Sequence, residues 1–220
     1  MFTEKDVLEN ARKAYTTGDA SFPVDRGKCA LLVIDMQDEF VKPGWAPTWI
    51  PEATRQVPRI LSVIEACRAN GVPVVYAVFS DTHRYLDRPK YGNAMPIQFP
   101  EISPDPEWFK EGRLWSEFNP KEDEIVIHKP SYGAFYDTPL DSILKTMEKD
   151  TIIICGTLAN CCCGTTARQG YERGYKVIYG SDINSTYSQE MLEAEIAILR
   201  LAFARIKTSE EIIDFVNAAH

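Results

Sequence analysis

The sequence predicts a three-layer α/β/α protein with a mostly parallel central sheet. The first observation is the continuous apolar run Cys29–Ile34, which is typical of a strand covered on both faces. The second is the alternation of strand and helix patterns from there onward, which favours parallel strands joined by helices. A chain of 220 residues that is 45% hydrophobic can bury one sizeable core, so we expect a single domain over 1–220.

The segment before the first strand, about 1–28, predicts an N-terminal helical extension. Thr3 is a suitable N-cap for its helix. Four side chains with apolar groups recur there at helical spacing: Val7, Leu8, Ala11 and Tyr15. We expect this apolar stripe to pack on the domain or on a neighbouring subunit.

A β-α-β unit starts with the first strand. Apolar residues recur at helical intervals over 57–67, and the pattern stops at Asn70-Gly71. The apolar run 72–79 predicts the second strand. The next stretch, 81–123, has little periodicity, and a segment of this length in a compact domain usually forms a functional loop region. We expect it to wall part of a pocket.

The second half of the sequence continues the alternation of strands and helices. It predicts strands at 124–128, 151–155, 176–179 and 205–206, and helices at 140–147, 162–174 and 189–201. Thr208-Ser209-Glu210-Glu211 matches a capping box, which indicates the start of a last helix.

Charge and composition argue against several classes of partner. A formal net charge of -8 disfavours nucleic acid and anionic membranes, since both require clustered Lys and Arg. We find neither a run of about 18 apolar residues nor a signal-peptide pattern, so we expect a soluble cytoplasmic protein. The six cysteines form no CxxC pair and three are adjacent, which predicts free thiols in a reducing compartment.

Three chemically capable groups follow predicted strands. Asp35 comes directly after the first strand, Lys129 follows the strand 124–128, and a row of thiols follows Cys155. Ligands of parallel sheets bind beyond the carboxyl ends of the strands, so we expect these groups to meet there. The thiols lie where a strand turns into a helix, and a helix N-terminus lowers the pKa of a thiol. The sequence therefore predicts a cysteine enzyme.

Three ordered motifs carry a resemblance to a known family: LVIDMQDEF at 32–40, KPSYGAFY at 129–136 and GTLANCCCGTTAR at 156–168. With these motifs the chain, over about 29–206, resembles the isochorismatase-like cysteine hydrolases. This superfamily includes nicotinamidases and the carbamoylsarcosine, ureidoacrylate and biuret hydrolases. The form of the third motif is most similar to that of the ureido and carbamoyl amide hydrolases.

Carried over position by position, the resemblance implies a catalytic triad. Asp35 would be the base, Lys129 the cation between base and nucleophile, and Cys162 the nucleophile, six residues after Gly156. Consecutive helical residues point about 100° apart, so only one of the three adjacent thiols can face the pocket properly. Cys161 is the alternative nucleophile. The other four cysteines are expected to be structural, with Cys163 facing the sheet and three in the core: Cys29, Cys67 and Cys155.

The resemblance also implies how the site would stabilise a reacting carbonyl. It places a cis peptide bond at Thr157–Leu158, and the backbone N–H groups of Leu158 and Cys162 would form an oxyanion hole. The implied reaction is cleavage of the C–N bond of a small amide or N-carbamoyl (ureido) compound through a thioester, without a cofactor.

Two alternatives stay open. One is a nicotinamidase-type amidase with metal-assisted substrate binding, and the other is a non-catalytic binding homologue. Asp81-Thr82-His83 stands where nicotinamidases carry a metal motif, but His128 and His220 lie far along the sequence. We therefore expect no bound metal.

Pocket walls and assembly follow less directly from the sequence. Six residues are expected to line the pocket, with core or scaffold positions as the alternative: Gln37, Phe40, Trp45, Tyr132, Phe135 and Asn160. Arg84, Arg88 and Arg113 lie in the non-periodic region and are candidates to bind a substrate carboxylate.

Relatives usually assemble as dimers or tetramers, so we expect a homodimer or homotetramer.

Overall fold

The computed structural model describes residues 1–89 and 107–218. Its sheet has six strands, all parallel, in the order β3-β2-β1-β4-β5-β6. Their bounds are β1 Cys29–Ile34, β2 Val74–Phe79, β3 Ile125–Lys129, β4 Thr151–Thr157, β5 Lys176–Ser185 and β6 Arg205–Lys207. The sheet grows outward from β1 on one side and from β4 on the other, so the winding reverses between these two strands.

Helices cover both faces of the sheet. They are α1 Glu4–Thr17, α2 Asp38–Val41, α3 Pro51–Ala69, α4 Leu140–Thr146, α5 Gly164–Glu172, α6 Gln189–Ala202 and α7 Ser209–Asn217. The core between α3, α7 and the sheet is separate from the core between α4, α5, α6 and the opposite face. The predicted three-layer fold is therefore confirmed.

The two central strands explain the continuous apolar runs in the sequence. Every residue of β1 and of β4 is buried. Leu31 and Val33 point into the core beside α3, and Leu32 and Ile34 point into the opposite core. A strand with both faces covered needs apolar residues at every position, because successive side chains point to opposite faces.

The N-terminal helix forms where the sequence predicts it. Thr3 caps α1 in a reciprocal capping box with Asp6. α1 contacts α6, but the apolar stripe predicted to pack on the domain stays largely exposed, because α1 has no buried residue and Leu8 is 61% exposed. Packing on a neighbouring subunit stays a prediction.

Several predicted boundaries moved, and one predicted region is only partly described. β4 ends at Thr157, and the helix predicted from Cys162 begins at Gly164, after a π-helical turn over Ala159–Cys163. β5 continues to Ser185, beyond the predicted end at residue 179. Of the loop region predicted at 81–123, the part over 90–106 lies outside the described residues. None of the described helices is long and apolar enough to cross a membrane.

Candidate active site

Three strand ends bring Asp35, Lys129 and Cys162 together at the carboxyl edge of the sheet. Asp35 follows β1, Lys129 is the last residue of β3, and Cys162 lies in the turn after β4. β1 and β4 are the neighbours between which the winding reverses, and such a crevice is the usual ligand site of an open α/β sheet. Lys129 reaches past β2 to contact Asp35.

The ion pair between Asp35 and Lys129 is fully enclosed. Lys129 Nζ lies 2.8 Å from Asp35 Oδ2, and both side chains are 0% exposed. The ammonium also donates to the Ser131 carbonyl at 3.0 Å and lies 5.3 Å from the centroid of the Phe79 ring. Asp35 Oδ1 is buried and has no hydrogen-bond partner among the described residues. Buried charges persist when they are paired, so each member of this pair depends on the other.

The charges of the three groups are coupled. Burial and then the neighbouring Cys162 raise the pKa of Asp35 well above its ordinary value, against the opposing charge of Lys129. Burial acts to lower the pKa of Lys129, but the negative charges of Asp35 and Cys162 outweigh it and raise that pKa. Two acids beside one ammonium cannot both ionise easily, so the geometry favours one proton shared between Asp35 and Cys162.

The three adjacent thiols occupy different environments. A hydrogen bond with Cys161 and then burial raise the pKa of Cys162 well above its usual value, whereas Lys129 acts to lower it. The same hydrogen bond lowers the pKa of Cys161, which is half-buried. Burial raises the pKa of the enclosed Cys163. The sequence predicts a lowered thiol pKa at this turn, but the bond with Cys161 and burial act in the opposite direction on Cys162, which lies before α5 begins.

The remaining cysteines lie in the core, as predicted. Burial raises the pKa of Cys29 and of Cys67 to about 12 in each case. Cys155 is likewise fully buried, and burial raises its pKa. Such thiols are inert packing groups at neutral pH, because the thiolate is the nucleophilic form.

A glycine and a cis peptide bond shape the entry to the thiol turn. Gly156 has φ 128°, and a Cβ at this position would run into the Ile34 carbonyl of the neighbouring strand. Only glycine allows β1 and β4 to approach this closely at the site. The following peptide bond, Thr157–Leu158, is cis, at the position that the family resemblance implies. Thr157 Oγ1 donates to the Ser185 carbonyl at 3.2 Å, which ties the end of β4 to β5.

The thiol turn is closed by bonds to a single carbonyl. The N–H groups of Cys161 and Cys163 donate to the Leu158 oxygen at 3.1 and 3.0 Å. The Tyr179 hydroxyl donates to the Ala159 carbonyl at 2.8 Å from beneath the turn. The Leu158 N–H has no acceptor among the described residues. The turn therefore holds its thiols on a rigid base, and the Leu158 N–H is available to a ligand.

Helix α5 fastens the loop after β3 to the same turn. Thr166 Oγ1 donates to the Cys162 carbonyl at 2.7 Å and accepts the Ala134 N–H at 3.0 Å. Gln169 Oε1 accepts the Phe135 N–H at 3.3 Å. These bonds fix the position of the segment after Lys129 relative to the segment around Cys162.

Gln37 takes a different role from the predicted contact with substrate. Its side chain is fully buried, and Nε2 donates to Glu39 Oε2 at 2.7 Å and to the Phe79 carbonyl at 3.0 Å. Gln37 Oε1 accepts the Phe79 N–H at 2.8 Å. Because its amide is occupied by the protein, the geometry favours a structural role that joins the ends of β1 and β2.

Two predicted aromatic walls have packing partners of their own. Phe135 is 5% exposed and packs in the core beside α5, with its ring centroid 5.5 Å from that of Tyr175. This corresponds to the core alternative. Trp45 is half-buried in the turn after α2, where Lys42 Nζ lies 5.0 Å from the centre of its ring. Phe135 and Cys162 belong to the same core cluster.

Two further predicted pocket residues lie on the thiol side. Tyr132 is half-buried, and burial and then the charges of Cys161 and Cys162 raise its pKa, which indicates that its hydroxyl lies near these thiols. Asn160 is exposed at the start of the thiol turn, and its Oδ1 accepts the Thr186 hydroxyl at 2.7 Å. Tyr132 and Asn160 therefore remain candidates for contact with substrate.

An aromatic cluster borders the ion pair, and of its three rings only that of Phe40 is among the predicted pocket walls. The rings of Phe40 and Phe79 lie 5.5 and 5.4 Å from the ring of Phe109. Glu39, a buried carboxylate, accepts the Phe109 N–H at 2.7 Å and fixes it there. Phe79 could have been found, since it ends β2 beside Lys129 of β3. Phe109 lies in the non-periodic region, where the sequence carries no signal for it.

The Asp81-Thr82-His83 segment does not assemble ligands in the described structure. The His83 side chain is 81% exposed, and its Nδ1 lies 2.8 Å from Asp87 Oδ2. Within 1–89 and 107–218, no group of three His, Cys, Asp or Glu residues is placed to hold a metal ion. The expected absence of a metal stays a prediction.

Of the three arginines considered for a substrate carboxylate, Arg88 is placed near the ion pair. Its Cζ lies 4.4 Å from the centroid of the Phe79 ring, and Lys129 Nζ lies 5.3 Å from the same centroid. Arg84 and Arg113 are exposed. Arg88 and Lys129 therefore both contact the Phe79 ring, and Arg88 stays a candidate to bind a substrate carboxylate.

Comparison with known proteins agrees with this fold and defines an α/β protein of the cysteine hydrolase class. The isochorismatase domain family matches residues 29–211. The chain therefore belongs to the isochorismatase family.

Two curated relatives cover most of the chain. A secreted isochorismatase effector from Verticillium dahliae is 30% identical, over 83% of this chain and 88% of its own length. Ureidoacrylate amidohydrolase RutB from Methylobacterium radiotolerans is 27% identical, over 84% of this chain and 75% of its own length.

Two solved structures share the architecture. A cysteine hydrolase from Pseudomonas syringae pv. phaseolicola is 25% identical with a TM-score of 0.81, over 93% of this chain and all of that one. N-carbamoylsarcosine amidase from Thermoplasma acidophilum is 27% identical with a TM-score of 0.67, over 84% of this chain and 98% of that one.

Proposed function

We propose that this protein is a cysteine-dependent amidohydrolase that cleaves the C–N bond of a small amide or N-carbamoyl (ureido) compound. Cys162 is the nucleophile, Asp35 the proton-transferring base and Lys129 the cation that binds both. The observation that carries the proposal is the completely buried ion pair of Lys129 and Asp35 beside the Cys162 thiol. A purely structural role would not require an ammonium and two acids at the ligand edge of the sheet.

The shared proton explains how a thiol with a raised pKa attacks at neutral pH. Transfer of the Cys162 proton to Asp35 keeps the net charge of the site constant, because the negative charge moves from carboxylate to sulfur beside Lys129. The raised pKa of Asp35 makes it a competent acceptor. The thiolate therefore forms inside the site, without prior loss of a proton to solvent.

The reaction then follows in two halves. The Cys162 thiolate adds to the substrate carbonyl, and the N–H groups of Leu158 and Cys162 stabilise the oxyanion of the tetrahedral intermediate. Asp35 donates its proton to the leaving nitrogen as the C–N bond breaks, which releases ammonia or an amine and leaves a thioester. Asp35 next removes a proton from water, whose oxygen cleaves the thioester and restores the thiol.

The proposed substrate class rests on the relatives and on the surroundings of the site. The amidase and amidohydrolase among them are named for an N-carbamoyl and a ureido compound. Tyr132 and Asn160 on the thiol side offer polar contacts, and Phe40 belongs to the aromatic cluster beside Lys129. A reducing setting such as the cytoplasm fits a mechanism that needs a free Cys162 thiol.

A screen for ammonia release tests the proposal. N-carbamoyl amino acids, ureidoacrylate analogues, biuret and nicotinamide are incubated with the wild-type protein, and ammonia is measured. We expect turnover of an N-carbamoyl or ureido compound. Turnover of nicotinamide alone, accompanied by stoichiometric zinc or iron in the purified protein, would instead establish the metal-assisted nicotinamidase.

Substitution of single thiols identifies the nucleophile. Cys162→Ala should reduce turnover by on the order of 10⁴-fold or more, because it removes the atom that bonds to the carbonyl. Cys161→Ala and Cys163→Ala are matched controls on either side and should keep most of the activity. Mass spectrometry of quenched wild-type enzyme should show an acyl group on the peptide that contains Cys162. Equal loss from all three variants would contradict the assignment.

A further inference from the structure

The N-terminal helix α1 exposes an apolar face that the rest of the described chain leaves uncovered. None of its 14 residues is buried, and Ala14 is half-buried. Val7 is 55% and Leu8 61% exposed. Isolated helices of roughly 12–15 residues are marginal in water, and most helical stability in proteins comes from packing of an apolar face. α1 therefore lacks most of the packing that would hold it folded.

One side of α1 carries a row of residues with a self-complementary order. Glu4, Leu8 and Arg12 are spaced four residues apart and so lie one above the other on the helix. Lys5 and Glu9 flank this row on the exposed surface of the helix. Lys5 and Glu9 pair with each other at 3.8 Å. Among the described residues, Glu4 and Arg12 form no ion pair.

We propose that α1 pairs in antiparallel orientation with α1 of a second copy of this chain, about a two-fold axis at Leu8. Reversal of the row places Glu4 of each protomer opposite Arg12 of its partner, and the two Leu8 side chains meet between these charge pairs. Both halves of the contact are then the same surface, as a two-fold interface requires. A parallel arrangement would place like charges opposite each other, so the order of the row also fixes the orientation.

Helix α6 supplies further apolar area beside this contact. α1 packs against α6, which still exposes three large apolar side chains by 41–48%: Met191, Ile198 and Leu201. Two short helices alone bury less than the roughly 1,200–2,000 Å² typical of a specific interface. The exposed face of α6 provides the additional surface that a stable dimer needs.

Reversal of charge tests the proposal in the full-length protein by sedimentation equilibrium. Arg12→Glu places a second carboxylate opposite Glu4, and Glu4→Arg places a second guanidinium opposite Arg12. Each single variant should therefore raise the dissociation constant by on the order of tenfold or more. The double variant Glu4→Arg/Arg12→Glu should restore wild-type association. An equimolar mixture of the two single variants should associate as a heterodimer, because all cross pairs are then of opposite charge.

A control variant separates pairing from general effects of charge. Lys13→Glu makes the same change of charge one residue further on, about 100° around the helix, and should leave association unchanged. Circular dichroism should show that the α/β domain stays folded in every variant. A wild-type monomer at about 100 μM, unchanged association of Arg12→Glu and Glu4→Arg, or failure of the double variant to restore association would overturn the proposal. Turnover per protomer should stay constant, so the outcome is independent of the proposed chemistry.

Discussion

Strand β3 has an ion pair at each end, half-buried at the amino end and fully buried at the carboxyl end, and the pKa values of the two carboxylates are shifted in opposite directions. At the amino end, Glu124 accepts two bonds of 2.8 Å from the Arg68 guanidinium. At the carboxyl end, Asp35 accepts one bond of 2.8 Å from Lys129. Burial acts to raise the pKa of Glu124, but its hydrogen bonds outweigh burial and lower it. Burial and a neighbouring thiol raise the pKa of Asp35 well above its ordinary value.

The difference comes from what else surrounds each carboxylate. Glu124 also accepts the Lys121 N–H at 2.9 Å, so both its oxygens are bonded and its negative charge is fixed. Asp35 shares one ammonium with a second acid, Cys162, and its Oδ1 lacks a full hydrogen bond among the described residues. A carboxylate with both oxygens hydrogen-bonded keeps its charge and stabilises the fold. A carboxylate with one unbonded oxygen beside a second acid can accept a proton and return it. We therefore expect the amino-end pair to matter for stability and the carboxyl-end pair for turnover.

The largest expected effect is on turnover at the carboxyl end. Asp35→Asn keeps the size of the side chain but removes the site that accepts the thiol proton, so kcat should fall by on the order of 10²–10⁴-fold. Glu124→Gln makes the same chemical change at the other end of β3 and should leave kcat close to wild type. Both values come from the rate of ammonia release at saturating substrate.

Two outcomes would break the contrast in turnover. Full activity of Asp35→Asn would remove the base from the mechanism. An equal loss of kcat in Glu124→Gln, with the protein still folded by circular dichroism, would show that both pairs act on the site through the strand that they share.

The fold was largely predictable because burial on both faces leaves a plain pattern in the sequence. β1 has the predicted bounds, and the capping box at Thr208 is present with Glu211. The end of β5 was not predictable, since residues 180–185 are mostly small or polar and locally favour a turn. Tertiary bonds extend the strand instead: Asn184 Nδ2 donates to the Ile154 carbonyl at 2.9 Å and to the Gly180 carbonyl at 2.7 Å.

The candidate site was predictable where it depends on topology. The positions of Asp35 and Lys129 follow from where parallel strands end. The pKa direction of Cys162 was not predictable, because it depends on burial and on the bond with its neighbour. The partners of Gln37 and Glu39 were also hidden, since the bonds reach Phe79 and Phe109 across 42 and 70 residues of sequence.

A smaller effect is expected in the pH dependence of kcat/KM. The active form carries one proton between Asp35 and Cys162, so activity should fall when the pair gains a second proton and when it loses the first. The raised pKa of Asp35 places the acidic limb above its ordinary value of 3.8. The raised pKa of Cys162 places the alkaline limb above its ordinary value of 9.0. A profile measured from about pH 4 to about pH 10 checks both limbs. A limb at the ordinary carboxyl pKa would show that Asp35 titrates independently of the thiol.

The smallest expected effect is on stability at the amino end. Glu124→Gln leaves part of the buried guanidinium of Arg68 without its acceptor, which should lower the free energy of unfolding by about 1–3 kcal/mol in urea at neutral pH. Because folding lowers the pKa of Glu124 below its ordinary value of 4.5, this contribution is present above that pH. It is lost as the pH falls through the folded value, so wild type and variant should converge in acid. Glu65→Gln is the matched control: Glu65 bonds the same guanidinium but is 65% exposed, and its loss should cost at most about 1 kcal/mol. Equal costs for the two variants would show that burial of Glu124 contributes nothing to the stability of this pair.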